Sequence, residues 1–308
     1  MNGADRLPGP GTSSAESAFL TEFQGFDVDV DGVRIHGRVG GSGPPVLLLH
    51  GFPQTHLAWR YVAPRLARDH TVVAADLRGY GDSGKPPAGP DHSAYGKRAM
   101  AADQVGLMAR LGFDRFAAVG HDRGARVVHR MALDHPHAVE RAAVLDIVPT
   151  RHVYATVDRA LGEAYFHWFF LTQPAGLPET LIGGAPEFFL HRLLGGGLAT
   201  TAGPSSAWAE YARCFRTPEA IAAMCEDYRA AATIDLEHDG ADAAAGQRIT
   251  CPLLVLWGKQ GFVGRTYDPL AVWHEYAHNR HGTAVDAGHF LPEENPDETV
   301  VALAEFLG

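Results

Sequence analysis

The stretch Phe116–Asp134, FAAVGHDRGARVVHRMALD, decides how the chain is read. FAAV is apolar and short, as a buried strand is, and VVHRMALD reads as a helix. Between them Gly120, Asp122 and Gly124 spell G-x-D-x-G. That is the form of a nucleophile elbow, in which small residues flank a side chain held on a tight strand-to-helix turn. The usual serine is replaced by Asp122. A carboxylate is already ionised at neutral pH, so it needs no base to displace a leaving group from carbon and form an ester. An aspartate that only caps the helix N-terminus is the competing reading.

Outward from this turn, the pattern repeats. FDVDVDGVRIHGRVGG alternates apolar and polar residues around a DG turn, as a hairpin does. PVLLLHGFP, TVVAADLRGYGDSG, RAAVLDIVP, PLLVLWGKQG and GTAVDAGH each contain a short apolar run suited to a strand covered on both faces. Helical patterns lie between them: LAWRYVAPRLA, KRAMAADQVGLMARLG and PDETVVALAEFLG. Strands alternating with helices predict an α/β fold with a mostly parallel, doubly wound sheet. Residues 150–249 break the rhythm; they are rich in Ala, Leu and aromatics and predict a helical cap inserted into a core made of 23–149 and 250–308. The Gly-, Pro- and Ser-containing residues 1–22 read as a disordered leader without the apolar stretch of a secretory signal.

Three further segments support chemistry at the elbow. His289, in DAGHFLPEENP, follows the last strand, where a histidine can activate water against an ester. HGFP, His50–Pro53, follows the first buried strand; there the Phe52 N–H, with that of Arg123, can form an oxyanion hole. DLRGYGDSG, Asp76–Gly84, is a glycine-rich turn.

In this order, HGFP, DLRGYGDSG, GHDRGAR and GHFLPEE resemble the α/β-hydrolase superfamily. GHDRGAR together with HGFPQTHLAW, VLDIVPT and YFHW is more similar still to fluoroacetate dehalogenases, and the resemblance runs from about Phe23 to the end. It implies an α/β-hydrolase fold and a set of roles. Arg123 and Arg126, three apart at the start of a helix, share a face and would grip a small carboxylate with forked hydrogen bonds. Neutral-substrate relatives tend to carry tryptophan where Arg123 stands. In the cap, His167, Trp168 and Tyr228 would surround a departing halide. The resemblance also places the acid that orients His289 at Asp146, because no acid directly follows LLVLWG; Asp268 and Asp286 are the alternatives. Two positions depart from the family: Asp82, where relatives can carry an aromatic, and Gly195–Gly196–Gly197, which predicts a looser cap.

The expected reaction is hydrolysis of a haloacetate to glycolate and halide. An epoxide hydrolase of the same fold is the second reading, and a non-catalytic binding protein of that fold the third. With a net charge of -10 in 308 residues, the chain is a poor partner for nucleic acids or anionic membranes. No apolar run reaches the length of a membrane span. Cys214, Cys225 and Cys251 show no paired spacing and fit a reducing cytoplasm. No cofactor or metal is expected, since the 17 histidines do not cluster at ligand spacing. A homodimer is the default assembly.

Overall fold

The computed structural model describes residues 10–200 and 207–308. Every strand read from the sequence forms: β1 Gln24–Val30, β2 Val33–Gly41, β3 Pro45–Leu49, β4 Thr71–Ala75, β5 Phe116–His121, β6 Val139–Leu145, β7 Leu253–Gly258 and β8 Arg280–Val285. They make one sheet in the order β1-β2-β4-β3-β5-β6-β7-β8. The β1–β2 hairpin turns through Asp31 and Gly32, both at positive φ, as a two-residue turn of this type requires. The hairpin pairs antiparallel with β4, and every pair from β4 to β8 is parallel.

The apolar runs are continuous because both faces of the sheet are covered. Along β3, Leu47 and Leu49 join one core cluster while Val46 and Leu48 join the other. Strand order reverses between β3 and β5, which pair directly, Leu49 opposite Gly120. The loops after these two strands therefore leave the sheet side by side, and such a reversal opens a crevice at the strands' carboxyl ends. Between β6 and β7 the described residues contain helices but no strand, from Thr150–Ala155 through Ile234–Ala245.

Two expectations need correction. The leader read as disordered over residues 1–22 is helical over Pro10–Thr21; residues 1–9 lie outside the described residues. Phe19 is fully buried against Phe23 and His56, and Glu16 pairs with Arg60 at 3.1 Å. These contacts outweigh the helix-poor composition. LAWRYVAPRLA is not one helix but a 3₁₀ turn, His56–Trp59, followed by the short helix Ala63–Leu66, which Pro64 opens. The glycine run begins at a kink: Gly195 has φ 69° and ψ 163° inside the helical segment Pro186–Thr200. No described helix is long and apolar enough to cross a membrane.

Candidate active site

Asp122 sits between β5 and the helix Arg123–Asp134 with φ 46° and ψ −113°, a strained conformation for a residue with a side chain. The flanking glycines make it affordable. A Cβ on Gly124 would lie 2.5 Å from the carbonyl oxygens of Leu49 and His50, and one on Gly120 would lie 2.4 Å from Gly124 O. Only bare backbone packs this closely, and the turn it permits pushes the Asp122 carboxylate out over the sheet.

The Phe52 N–H donates to Asp122 Oδ2 at 3.0 Å, as the adjacency of β3 and β5 dictates. The Arg123 N–H, the other expected oxyanion donor, starts the next helix and makes no hydrogen bond to this carboxylate. Burial alone would raise the Asp122 pKa, but His289, His121, Arg126 and Arg123 together draw it below the usual carboxylate value. The group is thus anionic and has one oxygen free of Phe52.

His289 follows β8, and its Nδ1 meets Asp146 Oδ2 at 2.7 Å. Asp146 directly follows β6 at φ 51°, is 1% exposed, and accepts the Gly258 N–H through Oδ1 at 2.9 Å. A carboxylate partner on Nδ1 places the ring proton there and leaves Nε2 free to accept one. Burial lowers the His289 pKa, but Asp146, by hydrogen bond and charge, and Asp122, by charge, leave it net raised. The alternative acids are occupied elsewhere: Asp268 caps the helix Pro269–Trp273, and Asp286 accepts Gln260 Nε2.

Sequence reading missed His121. Its Nε2 lies 2.8 Å from the His289 carbonyl, which can only accept, so the proton sits on Nε2 and Nδ1 is left buried without a partner. Burial and the nearby His289 push its pKa down to about 3, so the ring is neutral. The signal was its place beside Asp122 in the elbow. Tyr165 was also missed; it lines the site and packs on Phe262 and Trp168.

The two arginines are less free than their spacing suggests. Arg123 is fully buried, and its Nε and Nη2 are taken by Asp227 of the cap; Nη1 has no partner. Arg126 donates through Nη1 to Val148 O and Thr150 Oγ1, both at 3.0 Å, while its Nε is unpartnered. The Arg126 guanidinium lies 4.6 Å from the Trp168 ring, and that of Arg123 lies 4.3 Å from the Tyr228 ring.

His167, Trp168 and Tyr228 do come together, His167 and Tyr228 over Phe52 and Trp168 against Tyr228. The His167 ring stacks on Phe52 at 5.8 Å, and Tyr228 meets Phe52 edge-on at 5.1 Å, His167 at 5.7 Å and Trp168 at 6.0 Å. Burial pushes the His167 pKa down to about 3, so it is neutral, and burial beside Asp122 keeps the Tyr228 hydroxyl protonated. Both can donate hydrogen bonds. A cavity of about 140 Å³ has Phe52, Asp122, Tyr165, His167, Trp168, Arg192 and His289 among its lining residues. Arg123, Arg126 and Tyr228 are not among these lining residues. The volume is well below the roughly 300–1,000 Å³ of a drug-sized site. A larger cavity of about 330 Å³, near His129 and Arg151, contains none of the expected site residues.

Among the described residues, folding gathers a histidine cluster that spacing concealed: His36, His56 and Asp76. The Asp76 oxygens are already taken by the His56 N–H and ring and by the Asp82 N–H, so this carboxylate pins the glycine-rich turn. Asp82 itself pairs with Arg213 at 2.6 Å.

Comparison with known proteins adds independent findings. Residues 44–296 match the family model described as alpha/beta hydrolase fold. The fluoroacetate dehalogenase of a Burkholderia sp is 49% identical, covering 92% of this chain and 95% of its own length. The soluble epoxide hydrolase of Corynebacterium sp. (strain C12) is 34% identical over 93% of this chain and 98% of its own. A solved structure from Nostoc sp PCC 7120 superposes with a TM-score of 0.90 at 54% identity, covering 93% of this chain and 98% of that one.

Proposed function

The chain belongs to the α/β-hydrolase fold family, and from that premise we propose that it is a hydrolytic dehalogenase of small 2-halo acids. Its substrate class is haloacetate, fluoroacetate included, and its products are glycolate and halide. In the first step the free Asp122 oxygen attacks the substrate α-carbon; a C–O bond forms, the C–halogen bond breaks and the halide leaves with the bonding pair. In the second step water attacks the ester carbonyl carbon of Asp122. His289 Nε2 takes the water proton, Asp146 stabilises the resulting imidazolium, and the Phe52 N–H holds the developing oxyanion. Collapse expels the glycolate oxygen, which takes the proton back from the His289 imidazolium, and the regenerated Asp122 carboxyl loses its remaining proton to solvent.

One observation carries the substrate class: two arginines open the helix that follows Asp122, each buried and each with an unpartnered nitrogen. An unpartnered guanidinium N–H in a buried site is costly unless a ligand completes it. The small cavity and the neutral donors His167, Trp168 and Tyr228 fit a two-carbon acid whose leaving group needs hydrogen bonds as its charge develops.

Epoxide hydrolysis is the second reading. It is favoured by Tyr165, a protonated phenol lining the cavity, and by the epoxide-hydrolase relative. It leaves the arginines without a task. Halide release from fluoroacetate and chloroacetate, measured beside diol formation from styrene oxide, separates the two. The dehalogenase reading expects halide and little diol; diol without halide overturns it.

A further inference from the structure

Arg123 cannot orient itself, because a guanidinium at the end of a flexible stem adopts the geometry its partners impose. Its partner is Asp227, on the cap helix Pro218–Ala232, and both side chains are fully buried. Asp227 Oδ2 accepts Arg123 Nε at 2.9 Å and the Tyr80 hydroxyl at 2.6 Å. Oδ1 accepts Arg123 Nη2 and Lys97 Nζ, and the Asp227 carbonyl takes Arg123 Nη2 as well, at 2.8 Å. Each carboxylate oxygen thus has two donors, about its full capacity. Asp227 has nothing left to offer a substrate. What the fork leaves over is Arg123 Nη1 alone, buried and without a partner.

We propose that Asp227 is a positioning residue: it fixes Arg123 beside the elbow so that Nη1 is the one nitrogen left to draw the substrate carboxylate. The next residue in the chain is Tyr228, whose ring lies 4.3 Å from the Arg123 guanidinium. One cap helix therefore sets both the carboxylate-binding cation and a leaving-group donor. This inference rests on the haloacid reading of the site.

The test uses the intact chain. Asp227→Asn alone takes the carboxylate from between two buried cations, leaving Arg123 without it and Lys97 with Asp235 at 3.7 Å, so it is combined with Lys97→Met, which keeps the charge balance. Relative to Lys97→Met, the double variant is expected to raise KM for chloroacetate by about tenfold while changing kcat by less than about threefold, the pattern of lost uniform binding. The inhibition constant of acetate, a carboxylate with no leaving group, rises by the same factor. A merely structural Asp227 would lower the melting temperature and leave KM and the acetate constant where they were; that result in a folded double variant overturns the proposal. If the double variant does not fold, Tyr80→Phe is the milder arm. It strips one donor from the oxygen that holds Arg123 Nε, and KM and the acetate constant should rise together by about threefold; no shift there also overturns it. Absence of halide release by the wild-type chain would instead sink the functional reading itself.

Discussion

At Asp122 the chain accepts a φ of 46° on a residue with a Cβ, and the strain places an ionised carboxylate against His289. The division of labour between the two makes a claim about pH. His289 must be neutral to take a proton from water, so ester hydrolysis rises with pH through the His289 pKa. Burial pulls that pKa down; Asp146 and Asp122 push it above the ordinary 6.5 and prevail. In the ester the Asp122 charge is gone, and Asp146 is the chief remaining support. Asp146→Asn should therefore move the acid limb of kcat to lower pH, and should also lower the plateau because the ring loses its tautomer partner. A kcat profile with an unmoved limb would show that Asp146 does not hold the base. Trp168 makes a second claim at this scale. Fluoride gains more than chloride from hydrogen bonding as it departs, so Trp168→Phe should slow defluorination on the order of tenfold more than dechlorination. Equal losses on the two acids would return Trp168 to a packing role between Tyr165 and Arg126.

Among the elements, the strands were legible because a two-sided sheet demands continuous apolar runs, and PVLLL and FAAV carry them with no polar interruption. The elbow was legible for a steric reason that bears testing. Gly124→Ala would place a methyl group 2.5 Å from two backbone carbonyl oxygens on β3 and its loop. Neither oxygen can move without parting the sheet, so a loss of about 2–4 kcal/mol is expected, read as a lowered urea midpoint. A wild-type midpoint would mean that the turn is not built as described. The Pro10–Thr21 helix was not legible, because Phe19 finds its pocket only once Phe23 and His56 are in place. Nor was the partner of Arg123: Asp227 lies 104 residues further along, an acid on a mostly apolar cap helix. Spacing can show that two arginines share a face, but not which of their nitrogens the fold has already used.

On the scale of the whole molecule, one topological feature organises the site. The reversal of strand order at β3 and β5 sets the Phe52 loop beside the elbow, β6 and β8 deliver Asp146 and His289, and the cap lowers His167 and Tyr228 onto Phe52 with Trp168 against Tyr228. Each part arrives on a different segment, and the sheet brings them into register. The central claim joins them in two separable steps, of which only the second needs His289. The direct measurement is intact-protein mass spectrometry of His289→Asn incubated with chloroacetate, with released halide counted alongside. The account predicts one equivalent of halide per chain, then a stall, with a carboxymethyl group retained and mapped by digestion to Asp122. If loss of His289 abolishes even the first halide and no residue carries an adduct, water attacks the substrate directly and Asp122 is not the nucleophile.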